Sequence, residues 1–166
     1  MTVVLPDKKT MYAFLEEIKD PEVPVLSIVD LGIVRDVIIR DEEAEVIITP
    51  TYTGCPAMDV ISMNIRMLLA SLGFKKYSVT SVLSPAWTTD WMSEKGKQKL
   101  KEYGIAPPNP RENLVTDKLF APGEVVQCQH CHSFHTHRVS EFGSTACKAL
   151  YQCDDCGEPF DYFKCH

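Results

Sequence analysis

Basic residues are the scarcer charge in this chain: 17 Lys and Arg face 23 Asp and Glu among 166 residues, a formal net charge of −6. Non-specific affinity for nucleic acid comes mainly from Lys and Arg releasing counterions, so this balance disfavours a phosphate backbone as partner. The sequence also lacks any apolar run near the ~18 residues of a membrane span. Its start, MTVVLPDKK, lacks the basic-then-apolar order of a secretion signal. Repeats and low-complexity stretches are missing too. A soluble, cytoplasmic chain with no membrane partner is expected. Histidine is absent before His130, and cysteine occurs once before Cys128, at Cys55. A cysteine nucleophile needs a base beside it, so cysteine-dependent catalysis in that first part is disfavoured and no catalytic residue is assigned.

What is present is concentrated. Seven cysteines are an odd number, and without an export signal they read as thiolates for metal or redox chemistry rather than as a disulfide framework. Six of them, and all five histidines, lie beyond residue 107. The asymmetry coincides with GIAPPNPREN, in which Pro107, Pro108 and Pro110 favour extended backbone. The expected organisation is an N-terminal domain over 1–107, a linker over 108–124 and a C-terminal domain over 125–166. Both parts carry a formal charge of −3, with 12 basic and 15 acidic residues up to 107 and 5 and 8 beyond it, so neither is strongly basic.

In the first part, Met11, Phe14, Leu15 and Ile18 are spaced as one face of a helix that Pro21 stops just after Asp20. The β-branched runs 33–39 and 45–51, separated by the polar DEEA, predict a hairpin, and the first run lacks clean alternation, as a strand covered on both faces would. A second helix follows in AMDVISMNIRMLLASLG, with Ile61, Ile65, Leu68 and Leu72 on its apolar stripe and Gly73 as its C-terminal stop. Residues 77–83 predict a third strand and 90–103 an exposed third helix. The order α-β-β-α-β-α gives a small α+β sandwich.

Cys55 stands in TYTGCPAMDV. Pro56 suits the first position of a helix, which would make Cys55 the N-cap, with its sulfur on the positive end of the helix and its pKa depressed. A thiolate there would serve as nucleophile or soft metal ligand. The other reading is a small buried residue packed under a turn.

Two runs, DPEVPVLSIVDLGIV and TPTYTGCPAMDV, resemble the SufT-like domain of iron–sulfur cluster assembly factors, with the likeness extending over most of 8–107. The resemblance implies a reactive cysteine at Cys55, an acidic residue of functional weight at Asp30 in the DLG turn, and no catalytic activity. A turn residue capped by its own backbone is the plainer reading of Asp30.

In the second part, Cys128 and Cys131 form one C-x2-C pair and Cys153 and Cys156 another, 21 residues apart. Two such pairs bring four thiolates to one tetrahedral centre, the arrangement of a structural zinc ribbon rather than of a redox dithiol, which occurs singly. A segment with so few core aliphatics would draw much of its folding free energy from the metal. Cys147 and Cys165 leave several readings open: buried strand residues, a soft pair for iron or a cluster in transit, or a disulfide. Because four cysteines complete a site, His130, His132, His135 and His137 read as solvent-exposed, the last two on one face of a strand. His132 departs from the usual ribbon, where glycine commonly follows the second cysteine.

The fusion, including SEFGSTACKALYQCDDCGEPFDYFKC, resembles the D-protein family of bacterial phenylacetate degradation across the whole chain. What that implies is an accessory factor for the multicomponent phenylacetyl-CoA epoxidase. Its oxygenase carries a di-iron centre, and its reductase carries flavin and a [2Fe–2S] cluster. Delivery of iron or a cluster to one of these components fits such a factor, with a stoichiometric structural subunit as the alternative and homodimerisation left open. A nucleic-acid-binding ribbon is disfavoured by the negative charge of that half.

Overall fold

The computed structural model describes residues 4–109 and 124–164. The chain divides into two compact units, Met1–Gly96 and Lys97–His166. Among the described residues no helix is long and apolar enough to cross a membrane.

In the first unit, α1 (Lys8–Leu15) starts where the Asp7 carboxylate accepts the Thr10 N–H at 2.8 Å, and it buries Met11 and Leu15. The expected continuation to Asp20 does not form, and Phe14 is exposed. A competing ladder explains this. Ile28 N–H donates to Ile18 O at 3.0 Å, Asp20 N–H donates to Leu26 O at 2.9 Å, and Lys19 bridges Ser27. Backbone groups used in that ladder are lost to the helix.

The predicted hairpin is present: β1 (Val34–Arg40) pairs antiparallel with β2 (Glu43–Ile48) around Asp41 and Glu42. β2 buries Ala44, Val46 and Ile48 in alternation. Cover on both faces of β1 is not found, since Val37 is its one buried residue. α2 (Ala57–Ser71) then carries the chain over to β3 (Lys76–Ser81), which lies parallel to β2 in the order β1-β2-β3. α2 buries Ala57, Ile61, Ile65 and Leu69, a row of i+4 steps, so Leu69 takes the place expected for Leu68. Gly73, at φ +88°, ends the helix as predicted.

The LSIVDLGI run, rather than a strand, supplies much of the core, through Leu26, Ile28, Leu31 and Ile33 around a sharp turn. Gly32 sits there at φ +69°, where a Cβ would come 2.3 Å from the Trp91 carbonyl oxygen, so no side chain fits. α3 (Glu94–Glu102) begins later than expected because the Ser93 N–H donates to Asp30 O at 2.8 Å, while its Oγ accepts the Gly96 N–H at 2.9 Å. The expected first turn of this helix is a separate 3-10 turn, Thr89–Trp91. Nor is α3 exposed throughout, as Leu100 is fully buried.

In the second unit, β4 (Ile105–Ala106), β5 (Thr136–Ser140), β6 (Lys148–Cys153) and β7 (Pro159–Phe163) form a four-stranded sheet in the order β4-β7-β6-β5. β5–β6 and β6–β7 are antiparallel, and β4 joins β7 in parallel. Its core is a small cluster of Ala106, Val126, Cys128, Ala149, Tyr151, Cys153, Phe160 and Tyr162. Most of the expected linker lies outside the described residues. The protein is α+β: a small α/β unit and a β-sheet unit bearing four clustered cysteines.

Candidate metal and thiol sites

The two C-x2-C turns are built alike. His132 N–H donates to Cys128 O at 3.1 Å, and Gly157 N–H donates to Cys153 O at 2.9 Å. The residue after the second cysteine is left-handed in both, His132 at φ 64° and Gly157 at φ 77°. His132 thus adopts the glycine-like conformation itself, and its departure from the usual pattern leaves the turn intact. Cross-strand pairing of Thr136 with Cys153 holds the two turns together.

As a result, the four Sγ atoms lie within 4.8 Å of one another, with Cys128–Cys156 at 3.7 Å and Cys131–Cys153 at 3.5 Å. A tetrahedral ion with metal–sulfur bonds of about 2.3 Å sets its sulfurs ~3.8 Å apart, so the donors fit such an ion. Their electrostatics ask for one. Burial pushes the Cys128 thiol up, but N–H groups of Cys131 and His130 outweigh it and bring the group down to about 7. At Cys156 the Glu158 N–H favours the thiolate, yet burial and the three neighbouring sulfurs hold it up at about 12. Four thiols at this spacing repel as anions, and a divalent cation removes that repulsion.

Cys147 stands apart from this cluster. It is buried just before β6, its sulfur 3.1 Å from Thr145 Oγ1. Cys165 lies outside the described residues.

Cys55 differs from expectation in two respects. Pro56 is already helical, at φ −68° and ψ −22°, and is itself the cap of α2, so Cys55 stands one residue earlier. Its thiol pKa is raised, not lowered, because burial of this half-buried side chain outweighs hydrogen bonds from the Ala57 N–H and from the Thr51 and Tyr52 side chains. The Glu22 carboxylate pushes it further up. Glu22, Thr51 and Tyr52 escaped the sequence reading. The two hydroxyls were visible in TYTGC, whereas Glu22 comes close only through folding. Its backbone is fixed by Asp20, whose Oδ1 accepts the N–H groups of Glu22 and Val23, both at 2.8 Å. The raised pKa favours the protonated thiol over the thiolate. Alkylation of the Cys55 peptide in zinc-loaded protein, followed by mass spectrometry against pH, should therefore show a midpoint above the ordinary 9.0. A midpoint below that value would restore the activated-thiolate reading.

Asp30 is 2% exposed. Its carboxylate accepts the Ser27 N–H at 3.2 Å and the Ser93 hydroxyl at 3.0 Å, while its own N–H donates to Ser27 Oγ at 2.9 Å. Those bonds make it a node joining the DLG turn to the start of α3.

Residues 8–81 match the family model described as an iron–sulfur cluster assembly protein, and residues 113–164 match the PaaD zinc beta ribbon domain. The chain is 48% identical over 164 residues to a putative 1,2-phenylacetyl-CoA epoxidase subunit of Escherichia coli, covering 99% of this chain and 96% of that one. It is 40% identical over 93 residues to an Fe-S protein maturation auxiliary factor of Bacillus subtilis, covering 54% of this chain and 89% of the relative. Among solved structures, a domain of unknown function from Bacillus anthracis superposes with a TM-score of 0.53 at 31% identity, covering 56% of this chain and 90% of that one. A conserved hypothetical protein of Thermotoga maritima gives 0.51 at 26% identity, with coverage of 60% and 98%.

Proposed function

The chain belongs to the PaaD family, in which an iron–sulfur cluster assembly domain precedes a zinc ribbon, and from that premise we propose that it is a non-enzymatic maturation factor delivering iron or an iron–sulfur cluster to a component of the phenylacetyl-CoA epoxidase. The observation that carries the reading is the joining of two likenesses in one chain: the N-terminal part is similar to Fe-S maturation auxiliary factors, and the whole chain to a putative epoxidase subunit. Cys55 holds the cargo. Its thiol gives up its proton as the metal–sulfur bond forms, and transfer exchanges that bond for one to a ligand of the client. Asp30 positions the DLG turn that belongs to the same domain. Cys128, Cys131, Cys153 and Cys156 bind a structural zinc, and the ribbon so formed recognises the client.

In cells lacking this protein, the oxygenase and reductase components purified without oxygen should be deficient in iron or in cluster absorption, and the chain supplied in trans should restore them. Fully loaded components would overturn the proposal. The name of the E. coli relative favours a second reading, a stoichiometric structural subunit, which predicts co-purification at a constant ratio and no iron deficit.

A further inference from the structure

Beside the four-cysteine cluster lies a second set of metal-binding groups. His135 and His137 stand two residues apart at the start of β5, an edge strand of its sheet. Side chains at i and i+2 of an extended strand share a face. The ladder continues past β5 to His135, whose carbonyl accepts the Asp154 N–H at 2.8 Å, so both histidines stand against the Asp154 and Asp155 turn. Each imidazole meets one carboxylate of that turn: His137 Nδ1 lies 2.8 Å from Asp154 Oδ1, and His135 Nδ1 lies 3.1 and 3.2 Å from the two oxygens of Asp155. Asp155 is itself held by the Ser133 hydroxyl.

This pattern has a chemical consequence. A carboxylate oxygen accepts, so in each pair Nδ1 is the donor, and Nε2 is the ring nitrogen that the turn does not engage. Both side chains are well exposed, 78% and 54%. A histidine whose Nδ1–H is fixed by a carboxylate is the usual form of a metal-ligating histidine, because the partner sets the tautomer and the ring orientation. Two exposed histidines on a strand edge would ordinarily turn freely. Here both are oriented, by adjacent residues of one turn.

We propose that His135 and His137, each oriented by an aspartate, form a second, open metal site through their Nε2 atoms, taking a divalent first-row transition ion separately from the four cysteines. Imidazole suits iron, nickel, copper and zinc. Two protein ligands leave positions for water or for a donor from a partner, so the ion is held exchangeably, unlike one enclosed by four thiolates. The site stands whether or not Cys55 carries cargo.

The test is calorimetric titration of zinc-loaded full-length protein with Ni²⁺, with absorption followed in parallel. One equivalent should bind beyond the zinc, without thiolate-to-metal charge-transfer bands and without release of zinc. His137→Gln and His135→Gln should each weaken binding at least tenfold with zinc retained. Asp154→Asn should weaken it roughly tenfold or more, the effect typical of losing such a partner. If Asp154→Asn perturbs the neighbouring Cys153, the two histidine variants decide alone, since both side chains are exposed and lie outside the core. No ion beyond the zinc, nickel appearing only with thiolate bands, or histidine variants that bind as tightly as wild type would each overturn the proposal.

Discussion

Replacing Cys153 with serine should unfold the C-terminal sheet, not merely weaken its metal. Cys153 is 1% exposed on β6, an interior strand, and belongs to the same small apolar cluster as Tyr151, Phe160 and Tyr162. That cluster is slight for a unit of this size, whereas structural zinc in small modules contributes roughly 10–16 kcal/mol of apparent binding free energy. Set against a typical domain stability of about 5–15 kcal/mol, losing the ion removes the unit's margin. Hydrogen exchange on the full chain gives the clearest readout. Amides of β6 and β7 should lose their protection in Cys153→Ser or after chelation, while amides of α2 keep theirs. Retained protection of β6 in metal-free protein would show that the apolar cluster suffices and that the metal is not structural.

Cys55→Ala should do the reverse, sparing the fold and removing the function. The side chain is small and half-buried beside α2, and its sulfur is not the cap of that helix. Truncation there should cost about 1 kcal/mol, within the ordinary range for single substitutions. Thermal unfolding and zinc content should therefore stay close to wild type. Epoxidase components matured alongside the variant should nevertheless carry as little iron as those from cells lacking the protein, and growth on phenylacetate should fail accordingly. Full loading with Cys55→Ala would remove this thiol from delivery and leave the ribbon as the functional part. The contrast between the two variants separates transfer from recognition, because each acts in a different compact unit.

Local physics was legible in the sequence wherever neighbours along the chain decide the outcome. The paired C-x2-C turns, the stop of α2 at Gly73 and the hairpin of β1 and β2 follow from spacing, backbone preference and polar interruption within a few residues. Tertiary structure decided what depends on groups distant in sequence. α1 ends at Leu15 because residues 26–28 compete for the backbone that would extend it. The Asp30 network, read locally as a turn cap, reaches Ser93. The sign of the Cys55 shift is set by burial and by Glu22, which outweigh the helix end that the local sequence promised. His135 and His137 looked like free surface side chains until β5 and β6 paired and brought Asp154 and Asp155 against them. A pKa, a tautomer or a helix end is a balance of interactions, and when one side of that balance comes from across the fold, spacing along the chain carries no trace of it.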